Sequence, residues 1–309
     1  MRIIQSANPR PLTLLALNNG GLLAAGSYVF GASGDVEVWD TASGEHGFTH
    51  RVPVREPHSL LFAIDGRYLL VGEQNRIAVV DAASHTVTVG PKVLYGFPEC
   101  ALAPSGEAIA FTESYDGRSR LACFTTPPST ASRLNWNVDP AEGFARFGAP
   151  AFDPSGQRVA VCATAIGIRG TGAEIQIRNA ATGKLQVAIP RGAASPILGT
   201  AFTADGSKLL VRTGDRKVQL FDATTGAAAG ELVHPGRPYV TGVAVHPRGP
   251  VACARTNGTV TFWDADTRAQ LRTLDWKAGR LASVAFSPDG ALAAAGTEDG
   301  KIVVWDVDV

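Results

Sequence analysis

Val284-Ala-Phe-Ser-Pro-Asp-Gly290 leads through an apolar run and a turn to Ile302-Val-Val-Trp-Asp306. The same frame recurs upstream. Ala201-Phe-Thr-Ala-Asp-Gly206 leads to Val218-Gln-Leu-Phe-Asp222, and Val243-Ala-Val-His-Pro-Arg-Gly249 leads to Val260-Thr-Phe-Trp-Asp264. Ala151–Gly156 precedes Ile175–Asn179, Ala101–Gly106 precedes Leu121–Thr125, and Leu61–Gly66 precedes Ile77–Asp81. A weaker start at Ala16–Gly20 ends clearly at Val36-Glu-Val-Trp-Asp40. The seven copies close at 40, 81, 125, 179, 222, 264 and 306, so the steps are 41, 44, 54, 43, 42 and 42 residues. A repeat of about 40–45 residues is the period of a four-stranded propeller blade. Within each copy, turn residues separate short apolar strands, and the third strand alternates with period two.

The turns after the third strand repeat as well: Asp40-Thr-Ala-Ser-Gly44, Asn179-Ala-Ala-Thr-Gly183 and Asp222-Ala-Thr-Thr-Gly226. An Asp or Asn side chain there accepts bonds from amides two or three residues on, and the glycine takes positive φ. His85 and Arg268 stand in the glycine place of two copies. Both are expected to carry backbone strain.

In register and in residue type, this frame resembles the WD40 repeat, over essentially the whole chain. The resemblance implies an all-β, seven-bladed β-propeller of four-stranded antiparallel blades, one domain over 1–309. Its ring would be closed by an N-terminal strand at about 1–6 pairing with the last blade near Ile302–Trp305. The closing pair is Trp-Asp only at 39–40, 263–264 and 305–306. Thr297, Asp299 and Trp305 match three slots of the family's polar network, and Thr213 and Asp215 match two. Lys277 falls where the family places a His.

Composition narrows the function. Lys+Arg and Asp+Glu are both 28, so there is no basic excess for a nucleic-acid binder. No run approaches the ~18 apolar residues of a membrane span. Cys100, Cys123, Cys162 and Cys253 are scattered through apolar runs and read as small buried hydrophobes, which fits a cytoplasmic protein. Six histidines share no metal spacing, and no nucleophile elbow or phosphate loop is present, so no catalytic residue, metal or cofactor is assigned. His246 reads as a solvated turn residue.

The copies differ in length. From turn glycine to closing position the usual span is 15 or 16 residues, but it is 20 in the first copy, 19 in the third and 23 in the fourth. The step into the fourth copy is also long. These excesses are expected to be loops at about 113–119, 138–148 and 163–173. Aromatic and Arg side chains mix there, as at interface anchors. The expected partner-binding residues are Phe144, Arg146, Phe147 and Arg169, with Tyr115 and Arg280 beside them. The same pattern also fits Phe144 and Phe147 tucked beneath their own loop. Arg10, Arg146 and Arg280 hold equivalent places ten residues before a turn glycine, so a positive rim would suit an acidic protein or peptide. The function read from these residues is a non-catalytic protein-interaction scaffold, monomeric, without nucleic acid or membrane. The alternative is a propeller enzyme of hydrolase or lactonase type, or a small-ligand binder, using the central channel.

Overall fold

A computed structural model describes residues 1–7, 9–27, 34–53, 57–63, 65–92, 99–106, 108–115, 118–125, 133–139, 144–165, 173–192, 196–214, 216–234 and 236–307. The strands form seven antiparallel sheets, the blade set of a seven-bladed propeller. Blade 1 is Leu14–Leu17, Leu22–Gly26, Asp35–Asp40 and His46–Arg51. Blade 2 is Ser59–Phe62, Tyr68–Glu73, Arg76–Asp81 and Val87–Lys92. Blade 3 is Glu99–Leu102, Ala108–Tyr115, Arg118–Thr125 and Arg133–Val138. Blade 4 has a broken inner strand, Phe144–Phe147 and Ala151–Phe152, then Arg158–Ala165, Ala173–Asn179 and Leu185–Gly192. Blade 5 is Ile197–Phe202, Lys208–Thr213, Val218–Asp222 and Ala228–Leu232. Blade 6 is Val240–Val245, Val251–Arg255, Thr259–Trp263 and Gln270–Asp275. Blade 7 is Leu281–Phe286, Leu292–Thr297 and Lys301–Asp306, completed by Arg2–Gln5.

Third strands end at the expected positions, except that blade 6 stops at Trp263. In the first copy Gly21, not Gly20, takes the left-handed φ of 80°.

The strands fall into two compact units. One holds blades 6, 7 and 1 with most of blade 2. Its core is inter-blade packing: Ala252, Ala254 and Phe262 against Leu281, Ala293 and Trp305, and Ala24, Val36 and Val38 against Leu60, Leu69 and Val71. The middle strands are buried on both faces, which explains their unbroken Ala/Val/Leu runs. Outer strands alternate instead, as in Gln270–Asp275.

The N-terminal strand pairs antiparallel with the third strand of blade 7, Ile4 opposite Ile302 and Arg2 opposite Val304. Ile4 is buried with Ile302, Val304, Trp39 and Leu23. The strand thus covers an edge that would otherwise show unpaired amides and carbonyls.

The second unit holds blades 3, 4 and 5. Leu121, Cys123, Trp136, Phe147, Val161 and Ala163 pack together between blades 3 and 4, and Ile175, Ile177, Leu209 and Val211 between blades 4 and 5. Blade 4 has Arg178 in the Trp place. Its buried guanidinium donates from Nε and Nη2 to Gln176 Oε1 and from Nη1 to the Gly183 carbonyl, so each of its three nitrogens has a local acceptor.

The turns after the third strands behave as their sequence requires. Asp222 Oδ1 accepts from the amides of Thr224 and Thr225 at 2.9 and 2.7 Å, and Asp264 Oδ1 from Asp266 and Thr267. His85 and Arg268 both sit at φ 60°, in the region glycine occupies elsewhere.

One expectation needs correction. His246 is not a solvated turn residue. It is fully buried, its Nε2 donates to the Gly290 carbonyl, its Nδ1 accepts from the Arg248 amide, and Phe286 packs edge-on against it. The polar network of blade 7, lacking its His, is rebuilt by Lys301. Its ammonium joins Asp299 at 2.5 Å and reaches the Ala278 carbonyl at 3.4 Å, while Thr297 donates to Asp299. Trp305 Nε1 is left buried with no hydrogen-bond acceptor among the described residues, and the ring packs on Trp276 instead.

Candidate functional site

The length excesses of blades 3 and 4 are spent largely on strand. Ala108–Tyr115 and Arg118–Thr125 stay paired to the end, Tyr115 opposite Arg118 across a two-residue Asp-Gly connection. The expected loop at 113–119 is therefore a hairpin arm. In blade 4, Phe144, Arg146 and Phe147 pair with Ala165, Thr164 and Ala163, so the expected loop at 138–148 is in good part an added length of inner strand. The third strand of blade 3 packs against Phe144–Phe147, which sets the two arms side by side. The cause is sequence: β-favouring residues, such as Phe111, Thr112 and Tyr115, continue past the usual strand length.

Of the expected partner-binding residues, Phe147 is a core side chain. It is 5% exposed, within the cluster of Leu121, Cys123 and Trp136. Strand pairing turns it inward, so it is not offered to a partner. Phe144, Arg146 and Tyr115 are placed on strands by their backbones. Arg169 lies outside the described residues. Arg280 is exposed, and its Nε is 2.7 Å from Glu298 Oε2, so its charge is already answered at the surface.

Blade 1 carries a cleft the sequence reading passed over. The third strand Asp35–Asp40 alternates: Val36 and Val38 face blade 2, while Asp35, Glu37 and Trp39 point the other way. There the chain leaving the N-terminal strand crosses over blade 1. Ser6 Oγ donates to Glu37 Oε1 at 3.1 Å and the Ala7 amide to Oε2 at 3.3 Å. Glu37 is 4% exposed. Ser6, Arg10, Leu12, Ala25, Ser27, Gly34, Asp35 and Glu37 line a cavity of about 100 Å³. Ser27 is buried, and its Oγ meets no hydrogen-bond partner among the described residues. A carboxylate inside Val36-Glu37-Val38-Trp39, where the other copies carry the uncharged Ala78, Ala122, Gln176, Gln219, Thr261 and Val303, was the signal available in the sequence.

The sheet set and hairpins define a β-propeller protein. Residues 268–306 match the family model "WD domain, G-beta repeat". The crystal structure of the Myceliophteria thermophila Cps50 (Swd1) β-propeller domain superposes with a TM-score of 0.73, covering 99% of each chain at 21% identity. Residues 268–306, the last copy of the repeat, thus match a WD repeat in sequence, and the whole chain shares the seven-bladed propeller fold. It is 29% identical over 104 residues to "Target of rapamycin complex subunit wat1" of Schizosaccharomyces pombe, 33% of each chain. It is 31% identical over 75 residues to "Periodic tryptophan protein 2 homolog" of the same organism, 24% of this chain and 9% of the relative. The chain thus spans a third or less of these relatives' own length.

Proposed function

We propose that this chain is a non-catalytic, cytoplasmic, monomeric protein-interaction scaffold whose partner docks on the hairpin arms of blades 3 and 4. The observation that carries the reading is length. Ala108–Tyr115, Arg118–Thr125 and Arg158–Ala165 run eight residues each, against five or six for the matching strands of blades 5 and 6. Extended arms on a stiff blade scaffold place side chains where they can be read by another molecule. A similarity to a complex subunit supports a protein as the partner. Tyr115, Phe144, Arg146 and Arg169 are the residues at stake: an aromatic that excludes water beside a guanidinium that pairs with a carboxylate. Arg280 adds little, because Glu298 already holds it.

The test is affinity capture from native lysate by wild type and by a Tyr115→Ala/Arg169→Ala variant with an unchanged melting curve. Proteins captured by wild type and lost by the variant support the reading. Identical capture by both removes these arms as the docking site.

A further inference from the structure

We propose that the blade 1 cleft holds the cationic head of a lysine or arginine side chain, presented by a bound peptide or protein. Two carboxylates line it, Asp35 and Glu37, against one guanidinium, Arg10. Glu37 is fixed inside the cleft wall by Ser6 and by the Ala7 amide, so its charge cannot swing out to solvent. Asp35 is half-buried and makes no ion pair among the described residues. The second observation is independent of charge. Ser27 is 7% exposed, lines the same cleft, and its Oγ has no hydrogen-bond partner among the described residues. A buried hydroxyl without a partner is costly, and an N–H donor entering the cleft would satisfy it. The cavity of about 100 Å³ has room for one small polar group. An anionic group would meet Asp35 and the buried Glu37, whereas an ammonium or guanidinium can donate to Asp35 and to Ser27 Oγ beside the fixed charge of Glu37. Leu12 and Ala25 supply an apolar wall along which the methylene stem of such a side chain can lie.

The probes are N-acetyl-arginine methylamide and N-acetyl-lysine methylamide, with the neutral citrulline analogue and N-acetyl-glutamate methylamide as controls. They are titrated into the ¹⁵N-labelled full chain and followed by amide chemical shifts. Saturable shifts centred on Ser6, Ala7, Ser27 and Glu37 are expected with one or both cations and not with the controls. Asp35→Asn should weaken the response at least fivefold and Ser27→Ala about threefold, with the rest of the spectrum intact. Because Glu37 anchors Ser6, Asp35→Asn is the deciding variant. No saturable shift with either cation, equal response to citrulline or glutamate, or binding unchanged by Asp35→Asn would each overturn the proposal. No protein partner is needed, so the result stands apart from the reading of the blade 3 and 4 arms.

Discussion

His246 Nε2 donates a 3.0 Å hydrogen bond to the carbonyl of Gly290, joining the first turn of blade 6 to that of blade 7. The same device recurs within each unit. Asn18 Nδ2 reaches the Gly66 carbonyl at 2.9 Å from blade 1 to blade 2, and Arg158 Nη2 reaches the Gly206 carbonyl at 2.6 Å from blade 4 to blade 5. Three unlike side chains do one job. The turn glycine therefore has two reasons to be glycine. It sits at positive φ, and a Cβ would collide with the incoming donor: at Gly66 it would lie 2.9 Å from Asn18 Nδ2, and at Gly290 2.8 Å from His246 Cε1.

Gly290→Ala and Gly249→Ala separate these reasons. Gly249 also has positive φ, but a Cβ there meets nothing within 4 Å. Gly249→Ala should cost about 1–3 kcal/mol from backbone strain alone. Gly290→Ala adds a clash and a displaced hydrogen bond, for roughly 2–4 kcal/mol in all. Urea melts of both variants check the order. Equal costs would mean that the His246 contact contributes nothing.

Removing residues 1–6 should lower the melting temperature and promote aggregation. It uncovers the Lys301–Val304 edge, takes Ile4 from its cluster, and strips Ser6 from the buried Glu37. Light scattering during a thermal ramp reads both effects. A melt identical to that of the full chain contradicts the role given to this strand.

Stability should fall in two stages on acidification. Burial pulls the His58 imidazole from 6.5 down to about 4. The unfolded chain then takes up a proton below pH 6.5 that the folded chain refuses until about pH 4. The His58 contribution is full above pH 6.5 and is lost as pH falls to 4. His58→Gln should flatten that interval of a urea midpoint series. A later loss belongs to carboxylates. Hydrogen bonds from Ser207 and Thr203 hold Asp205 at about 2, so its contribution is present above pH ~4 and disappears toward pH 2. A wild-type midpoint that is flat from pH 6.5 to 4 would contradict the His58 assignment.

The cysteines supply a local probe of opening. Burial pushes the Cys123 thiol up to about 11 and the Cys162 thiol up to about 12. At pH 8 the thiolate fractions are then on the order of 10⁻³ and 10⁻⁴. A thiol reagent should leave both untouched in the native protein, react first at half-buried Cys100, and reach all four in denaturant. Rapid native labelling of Cys162 would show that blade 4 opens.

The repeat made the blade set readable before any coordinates, because turn chemistry and strand period are local signals. The closing partner of blade 7 was readable too, since Ile3 and Ile4 lay beside an unfilled strand place. Phe147 was misread for a physical reason: extra residues between strands say that length is added, not whether it pairs. Only the opposing Ala163–Ala165 settles that, and the pairing depends on tertiary contact. His246 was misread because its acceptor is 44 residues away. Glu37 was visible as an acid between Val36 and Val38, but its meaning depends on Ser6, Ala7 and Ser27, which only the fold brings to it.

The most direct measurement of the scaffold reading is hydrogen–deuterium exchange on the full chain, alone and with the protein that wild type captures. The account predicts new protection concentrated in peptides covering 113–120 and 162–174, with the outer strands of blades 5 and 6 unchanged. Protection confined to those outer strands, or absent from both hairpin arms, would contradict it.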